Sequence, residues 1–250
     1  MQGSSIIGNN ILKLNAVDST NTYAMALLKK QKLPEGMIIQ AFEQTAGRGQ
    51  MGTNWHSLPG ESLTFSVILT PEFLPVHKQF YLSMAVSLAL YDYLRTKGLS
   101  SVVIKWPNDI IVDRRKIAGI LIETSLKGET IQHAVVGIGL NINSNPDELS
   151  TVATSLLAET GRIHDLEAEL HEVCQHLDTY YALLKTGKFE KLKQEYMSKL
   201  LGVGQPIQVV RGNTKTLVKV IDIKDSGKVV LEEINGNWWV AGFKEFEWTY

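Results

Sequence analysis

The chain has 250 residues, 44% of them hydrophobic and 20% charged, with a formal net charge of −1. That length can bury one large domain or a medium and a small one, and the balanced charge gives no ground for general nucleic-acid binding or an acidic interaction tail. A single cysteine, Cys174, rules out an intramolecular disulfide, and the opening Met1-Gln2-Gly3-Ser4-Ser5-Ile6-Ile7-Gly8 has neither the basic nor the apolar region of a signal peptide, so a reducing, cytoplasmic setting is expected.

In chain order, Asp18-Ser19-Thr20-Asn21 precedes a helical pattern (Tyr23, Met25, Ala26, Leu27, Leu28) that ends near Pro34-Glu35-Gly36. Met37 to Phe42 is an apolar run of strand length. A glycine-rich segment, Ala46 to Gly52, then leads through Trp55 and Pro59-Gly60 to a second strand, Ser62 to Leu69. Val76 to Thr96 reads as a long helix stopped by Gly98; its most apolar part, Met84 to Leu94, is interrupted by Ser87 and Asp92 and is too short to span a membrane. Strands follow at Val102 to Trp106, Asp109 to Val112, Ile117 to Thr124 and Ile131 to Ile142, the last two joined as a hairpin at Leu126-Lys127-Gly128-Glu129.

From Leu149 to Lys199 the pattern is helical, with Leu166, Leu170, Val173, Cys174, Leu177, Tyr181 and Leu184 marking one buried face. Beyond Gly202-Val203-Gly204 come short β-rich runs, Ile207 to Val210, Leu217 to Ile223, Val229 to Glu232 and Trp238 to Ala241, with turn residues between them. The expected organisation is therefore an α/β (α+β) domain over residues 1–201, with a mixed central sheet and flanking helices, and a small β-barrel over 202–250.

Gly47, Gly49 and Gly52 spell G-x-G-x-x-G, but the segment runs into Thr53-Asn54-Trp55 and a strand instead of opening a helix, as a dinucleotide fingerprint must. Neither an H-R-D nor a D-F-G follows, so a kinase is excluded, and no G-x-x-x-x-G-K-[ST] exists for a P-loop. What remains is a surface loop rich in turn residues, or a flexible loop whose backbone can approach an anion and whose Arg48 offers a forked donor to phosphate or carboxylate.

A second constellation is Lys105-Trp106-Pro107-Asn108-Asp109 followed by Lys116-Ile117-Ala118-Gly119. Pro107 forces a turn, and a hairpin there could bring Lys105 and Lys116 to one cleft, where with Arg48 they would clamp phosphate or carboxylate charge; a solvated edge turn has the same composition. The third is Gly137-Ile138-Gly139-Leu140-Asn141-Ile142-Asn143, in which glycines inside a buried strand suit close approach of a backbone or ligand. Asn141 and Asn143 share a face, either to read an adenine edge or to cap the strand. Ser19, Thr20 and Asp18 are also ordinary helix N-cap residues. His171 and His176 are five apart and so lie on different faces of a helix, and no histidine-based metal site is expected.

In this order, Asp18 to Asn21, Gln44 to Trp55 (QTAGRGQMGTNW), KWPND, KIAG and GIGLNIN, with a small β domain at the end, the chain resembles the biotin–protein ligase family over nearly its whole length. The resemblance implies the family's fold, with an SH3-like C-terminal barrel. It also implies ATP-dependent formation of biotinyl-5′-AMP, then transfer of biotin to a lysine of a biotin carboxyl carrier protein. On that basis Arg48, Lys105 and Lys116 are catalytic. Ser19, Thr20, Asn21, Gln44, Arg48, Gly49, Gln50, Lys116, Gly119, Gly137 and Gly139 surround biotin, while Arg48, Trp55, Lys105, Asn108 and Asn141 meet ATP. Asn108 and Asp109 would stand near Mg²⁺. Gln50 and Thr53 depart from the pattern, in which basic residues are frequent, so weaker retention of the adenylate is expected.

The segment before Asp18 is too short for a winged helix, so no repressor role, nucleic-acid partner or membrane partner is expected. A homodimer through sheet edges follows from the resemblance alone. A lipoate- or octanoate-transferring ligase and a non-catalytic biotin sensor are the competing readings; KWPND and the C-terminal β domain favour biotin, and the three cations favour catalysis.

Overall fold

The computed structural model describes residues 5–145 and 150–249, so Leu149, where the helical pattern begins in the sequence, lies outside the described residues. Seven strands, β1 (Ile11–Val17), β2 (Ile38–Gln44), β3 (Ser62–Leu69), β4 (Val102–Lys105), β5 (Asp109–Val112), β6 (Arg115–Lys127) and β7 (Thr130–Asn141), form a mixed sheet in the order β1-β2-β3-β7-β6-β5-β4. Only the β1–β2 pairing is parallel among these neighbours. The sequence pattern does not announce β1. It is an edge strand with no fully buried position, so its alternation is faint.

β3 explains the two faces of this sheet. All eight of its residues are buried, yet they alternate: Leu63, Phe65, Val67 and Leu69 enter the main core, while Ser62, Thr64 and Ser66 line the other face. Against the apolar face lie α2 (Phe80–Thr96) and α4 (Leu166–Lys185), with α5 (Phe189–Ser198) packed on α2; the short α3 (Leu156–Thr160) precedes α4. α2 starts at Phe80, after a single tight turn at Val76–Lys78, and not at Val76 as the sequence pattern suggests. Cys174 sits on the buried side of α4, where burial, and after it the Asp178 charge, pushes its thiol up to about 12. It stays protonated and inert near neutrality.

The opposite face carries α1 (Thr20–Leu28), seated by Ala24 on a small cluster with Ile39, Ile68 and Val135. α1 covers only part of that face. The uncovered part, over the β3-β7-β6-β5 strands, is the floor of a cavity.

The C-terminal strands β8 (Ile207–Arg211), β9 (Thr214–Ile223), β10 (Val229–Glu233), β11 (Trp238–Ala241) and β12 (Glu247–Thr249) make an antiparallel sheet in the order β11-β10-β9-β8-β12. β12 was not foreseen; it is three residues long and none is fully buried. Trp106 joins the two sheets. Its ring stacks on Phe246 at 5.7 Å, its indole N–H donates to Gly227 O at 2.9 Å, and its carbonyl accepts from Trp248 Nε1 at 2.9 Å. The turn bearing Lys105, Asn108 and Asp109 is thereby fixed to the C-terminal sheet.

Candidate active site

Strand register builds the floor. Lys105 pairs with Asp109, Asp109 with Gly119, Gly119 with Gly139 and Gly139 with Thr64, so five strands place these residues in one row. The next row along the same face holds Leu121, Gly137 and Ser66. Over them opens a cavity of about 470 Å³. Its walls include Ser19, Thr20 and Asn21 at the start of α1, Gln44 at the end of β2, and the loop residues Arg48, Gly49, Gln50 and Trp55. Lys105, Asn108, Asp109 and Lys116 close another side, and Gly119, Gly137 and Gly139 lie beneath.

Each residue assigned from the sequence to biotin, ATP or Mg²⁺ borders this one cavity except Asn141. That side chain is 4% exposed and donates to Thr154 O at 2.9 Å, anchoring the segment that follows β7 instead of facing the cavity. Asn143 likewise exchanges hydrogen bonds with the backbone of His164. The N-cap reading of the first motif holds for position alone: Ser19 is the N-cap residue of α1, but its side chain makes no cap bond. Instead Thr20 N–H donates to Gln44 Oε1 at 2.8 Å, and the Thr20 hydroxyl lies 3.1 Å from the same oxygen.

The three glycines make room for specific neighbours. A Cβ on Gly137 would strike the Asn21 amide, and one on Gly139 would strike the Trp55 indole. At Gly119 it would meet Lys116 Nζ at 3.0 Å and Trp55 at 3.2 Å. Trp55 therefore lies flat on the glycine floor, with the Lys116 ammonium 5.5 Å from its ring centroid. Its buried indole N–H has no hydrogen-bond partner among the described residues, although the residue itself lines the cavity.

The glycine-rich loop is a tight hairpin. Gly49 N–H donates to Thr53 O at 2.7 Å and Trp55 N–H to Gly47 O at 2.9 Å, and a Cβ on either glycine would strike the opposite limb. Met51 at its tip has a left-handed φ of 49°. Lys244, in the turn between β11 and β12 and itself at φ 62°, donates to Met51 O at 2.6 Å. Phe243, Lys244, Phe246, Glu247 and Trp248 thus add a wall that the sequence reading did not assign to the site.

Charge is arranged with equal economy. Lys116 Nζ is 2.6 Å from Asp109 Oδ1, and Lys105 Nζ is 3.9 Å from Asp109 Oδ2. Arg48 makes a two-armed pair with Glu123: Nη2 to Oε1 at 2.9 Å and Nη1 to Oε2 at 3.2 Å. Glu123 and Ser66 escaped the sequence reading. The alternation Ser62-Thr64-Ser66 within an otherwise apolar strand was the available signal for Ser66; Glu123 lies in a partly exposed stretch of β6 with no such mark.

No cluster of three or more His, Cys, Asp or Glu side chains able to hold a metal is found among the described residues. Asp109 and Asn108 offer one carboxylate and one amide oxygen. Mg²⁺ held together with nucleotide phosphates asks for no more protein donors than that.

The sequence matches the biotin/lipoate A/B protein ligase family over residues 14–141. It is 32% identical to the biotin–[acetyl-CoA-carboxylase] ligase of Paracoccus denitrificans, an alignment covering 87% of this chain and 92% of that protein. Against the bifunctional ligase/repressor BirA of Bacillus spizizenii the identity is 30%, over 93% of this chain and 72% of that protein. In structure it is similar to the biotin protein ligase of Aquifex aeolicus in complex with biotin and ATP, with a TM-score of 0.77, 27% identity, and coverage of 96% of this chain and 99% of that one. The chain belongs to the biotin/lipoate A/B protein ligase family.

Proposed function

We propose that the chain is a biotin–protein ligase, which uses ATP to convert biotin to biotinyl-5′-AMP and passes the biotinyl group to a lysine of a biotin carboxyl carrier protein. One observation carries the reading. Arg48, Lys105 and Lys116, from a loop and two strands, border the same cavity as the hydrogen-bonding group Thr20, Asn21 and Gln44.

In this reading the start of α1 and Gln44 take the ring of biotin, whose urea-like group needs both donors and acceptors. The acid end then points along the glycine floor toward the cations. A carboxylate oxygen attacks the α-phosphorus of ATP, the bond to the bridging oxygen breaks, and pyrophosphate leaves. Arg48, Lys105 and Lys116 stabilise the charge spread over the phosphoryl oxygens, an effect that is large in a cavity from which water is partly excluded. Asp109 and Asn108 are the residues that would hold Mg²⁺, which supplies further charge stabilisation to the phosphates. In the second half-reaction the neutral amine of the carrier lysine attacks the acyl carbon and AMP departs, so no covalent bond to the enzyme forms and Cys174 has no part. Trp55 offers its ring and its unpartnered N–H to the nucleotide. The hairpin from Gly47 to Trp55 screens the mixed anhydride from hydrolysis.

A cytoplasmic location and pairing of two copies through sheet edges belong to the same reading; no helix among the described residues is long and apolar enough to cross a membrane, and β1 offers a strand edge. The test is incorporation of labelled acid into a purified carrier domain. Biotin incorporation that requires ATP supports the reading, and incorporation of lipoate or octanoate in its place contradicts it.

A further inference from the structure

A carboxylate beside a site for two anions needs an explanation, because its charge opposes both the acid and the nucleotide. Glu123 is such a group. It lies on β6, its side chain is 26% exposed, and it accepts from both arms of Arg48. Its Oε2 also accepts from the Asn21 amide nitrogen at 3.0 Å. Asn21 is fully committed: its other N–H donates to Leu121 O at 3.1 Å, and its Oδ1 lies 2.7 Å from the buried Ser66 hydroxyl. Ser66 Oγ is also 2.7 Å from Thr20 Oγ1, and Thr20 is bonded to Gln44. An unbroken chain of polar contacts therefore runs from Gln44 through Thr20, Ser66, Asn21 and Glu123 to Arg48.

We propose that Glu123 is a positioning residue of the site: it holds the Arg48 guanidinium in a fixed plane at the cavity and joins the loop to the group that receives the ring of the acid. The Arg48 side chain is 47% exposed on a glycine-rich hairpin, and without a partner it would sample many rotamers before meeting an anion. The two-armed contact removes that freedom in advance. Three of the five guanidinium N–H groups are engaged by Glu123 and by Thr22 Oγ1 at 3.3 Å, which leaves the others for the substrate. The like-charge repulsion is offset because Glu123 meets the cavity through Arg48 and Asn21 and does not itself line it. The inference rests on the reading of Arg48 as the anion-binding arginine.

The experiment is a double-mutant cycle on the full chain, read as kcat/KM for biotin in ATP–pyrophosphate exchange. Glu123→Gln keeps the shape of the side chain and an acceptor for Asn21, and is expected to lower kcat/KM about ten-fold through the biotin KM, with the melting temperature unchanged. Placed on Arg48→Ala, the same change is expected to cause no further loss, because its effect passes through the arginine. Glu123→Asp, which keeps the charge, should recover part of the rate. An equal ten-fold loss in both backgrounds would overturn the proposal, since a purely structural role is additive. So would an unchanged or faster Glu123→Gln enzyme. Wild-type exchange by Arg48→Ala alone would sink the assignment of Arg48 and the proposal with it, a result distinguishable from the other two.

Discussion

The carboxylate of Asp109 lies 2.6 Å from the ammonium of Lys116, across the pairing of β5 with β6. The same carboxylate stands 3.9 Å from Lys105 Nζ, four residues earlier in the chain. One acid thus orients two cations that come from different strands. Asp109→Asn should lower exchange activity about ten- to a hundred-fold, less than loss of a cation that meets the phosphoryl group directly. Steady-state exchange rates check this, and an Asp109→Asn enzyme as fast as wild type would show that the pairing is incidental.

Gly139 leaves space for the Trp55 ring. A Cβ there overlaps a rigid indole, and the ring must tilt off the floor. Gly139→Ala should therefore raise the KM for ATP more than that for biotin. Titration of indole fluorescence with ATP reads the change, and equal effects on both substrates would count against Trp55 as a nucleotide contact.

Lys244 joins the C-terminal sheet to the tip of the glycine hairpin through Met51 O. Two left-handed residues meet at this contact, and backbone held in that region persists only where its surroundings enforce it. Lys244→Met should free the hairpin, with faster proteolysis between residues 47 and 54 and more biotinyl-adenylate escaping into solution. Cleavage by a protease without lysine specificity and assay of free adenylate measure both. Identical cleavage rates would mean that the hairpin is held by its own hydrogen bonds.

Far from the cavity, Glu169 links α4 to the end of α2. Burial acts to raise its carboxyl, but hydrogen bonds from Lys97, Tyr93 and His164, with the Lys97 charge, outweigh it and hold the group below the ordinary 4.5. Its folded value is depressed, so the stability it contributes is present above 4.5 and is lost as pH falls through that lower value. The melting temperature should therefore fall as pH is lowered below 4.5, and less steeply in Glu169→Gln. Parallel curves for the two proteins would rule this group out as a source of acid sensitivity.

Much of this arrangement was legible in the sequence because its signals are local. The strand at Ser62 to Leu69, the turn at Pro107 and the glycines at 119, 137 and 139 announce themselves through alternation, a missing N–H and a missing side chain. Contacts made across the fold left no such mark. Glu123 gains its meaning from Arg48, 75 residues away, and Lys244 from Met51, 193 residues away. Asn141 stands apart from the cavity for a related reason. Strand alternation gives the face of a side chain, but the segment around Thr154 covers that face and takes its amide.

The most direct test of the central claim is ATP–pyrophosphate exchange with and without biotin, in the wild-type chain and in Lys116→Ala. Exchange that depends on biotin and falls about a hundred-fold or more in Lys116→Ala is the predicted result. Exchange that proceeds without biotin, or survives intact without the lysine, would contradict the assignment of this cavity to acyl-adenylate formation.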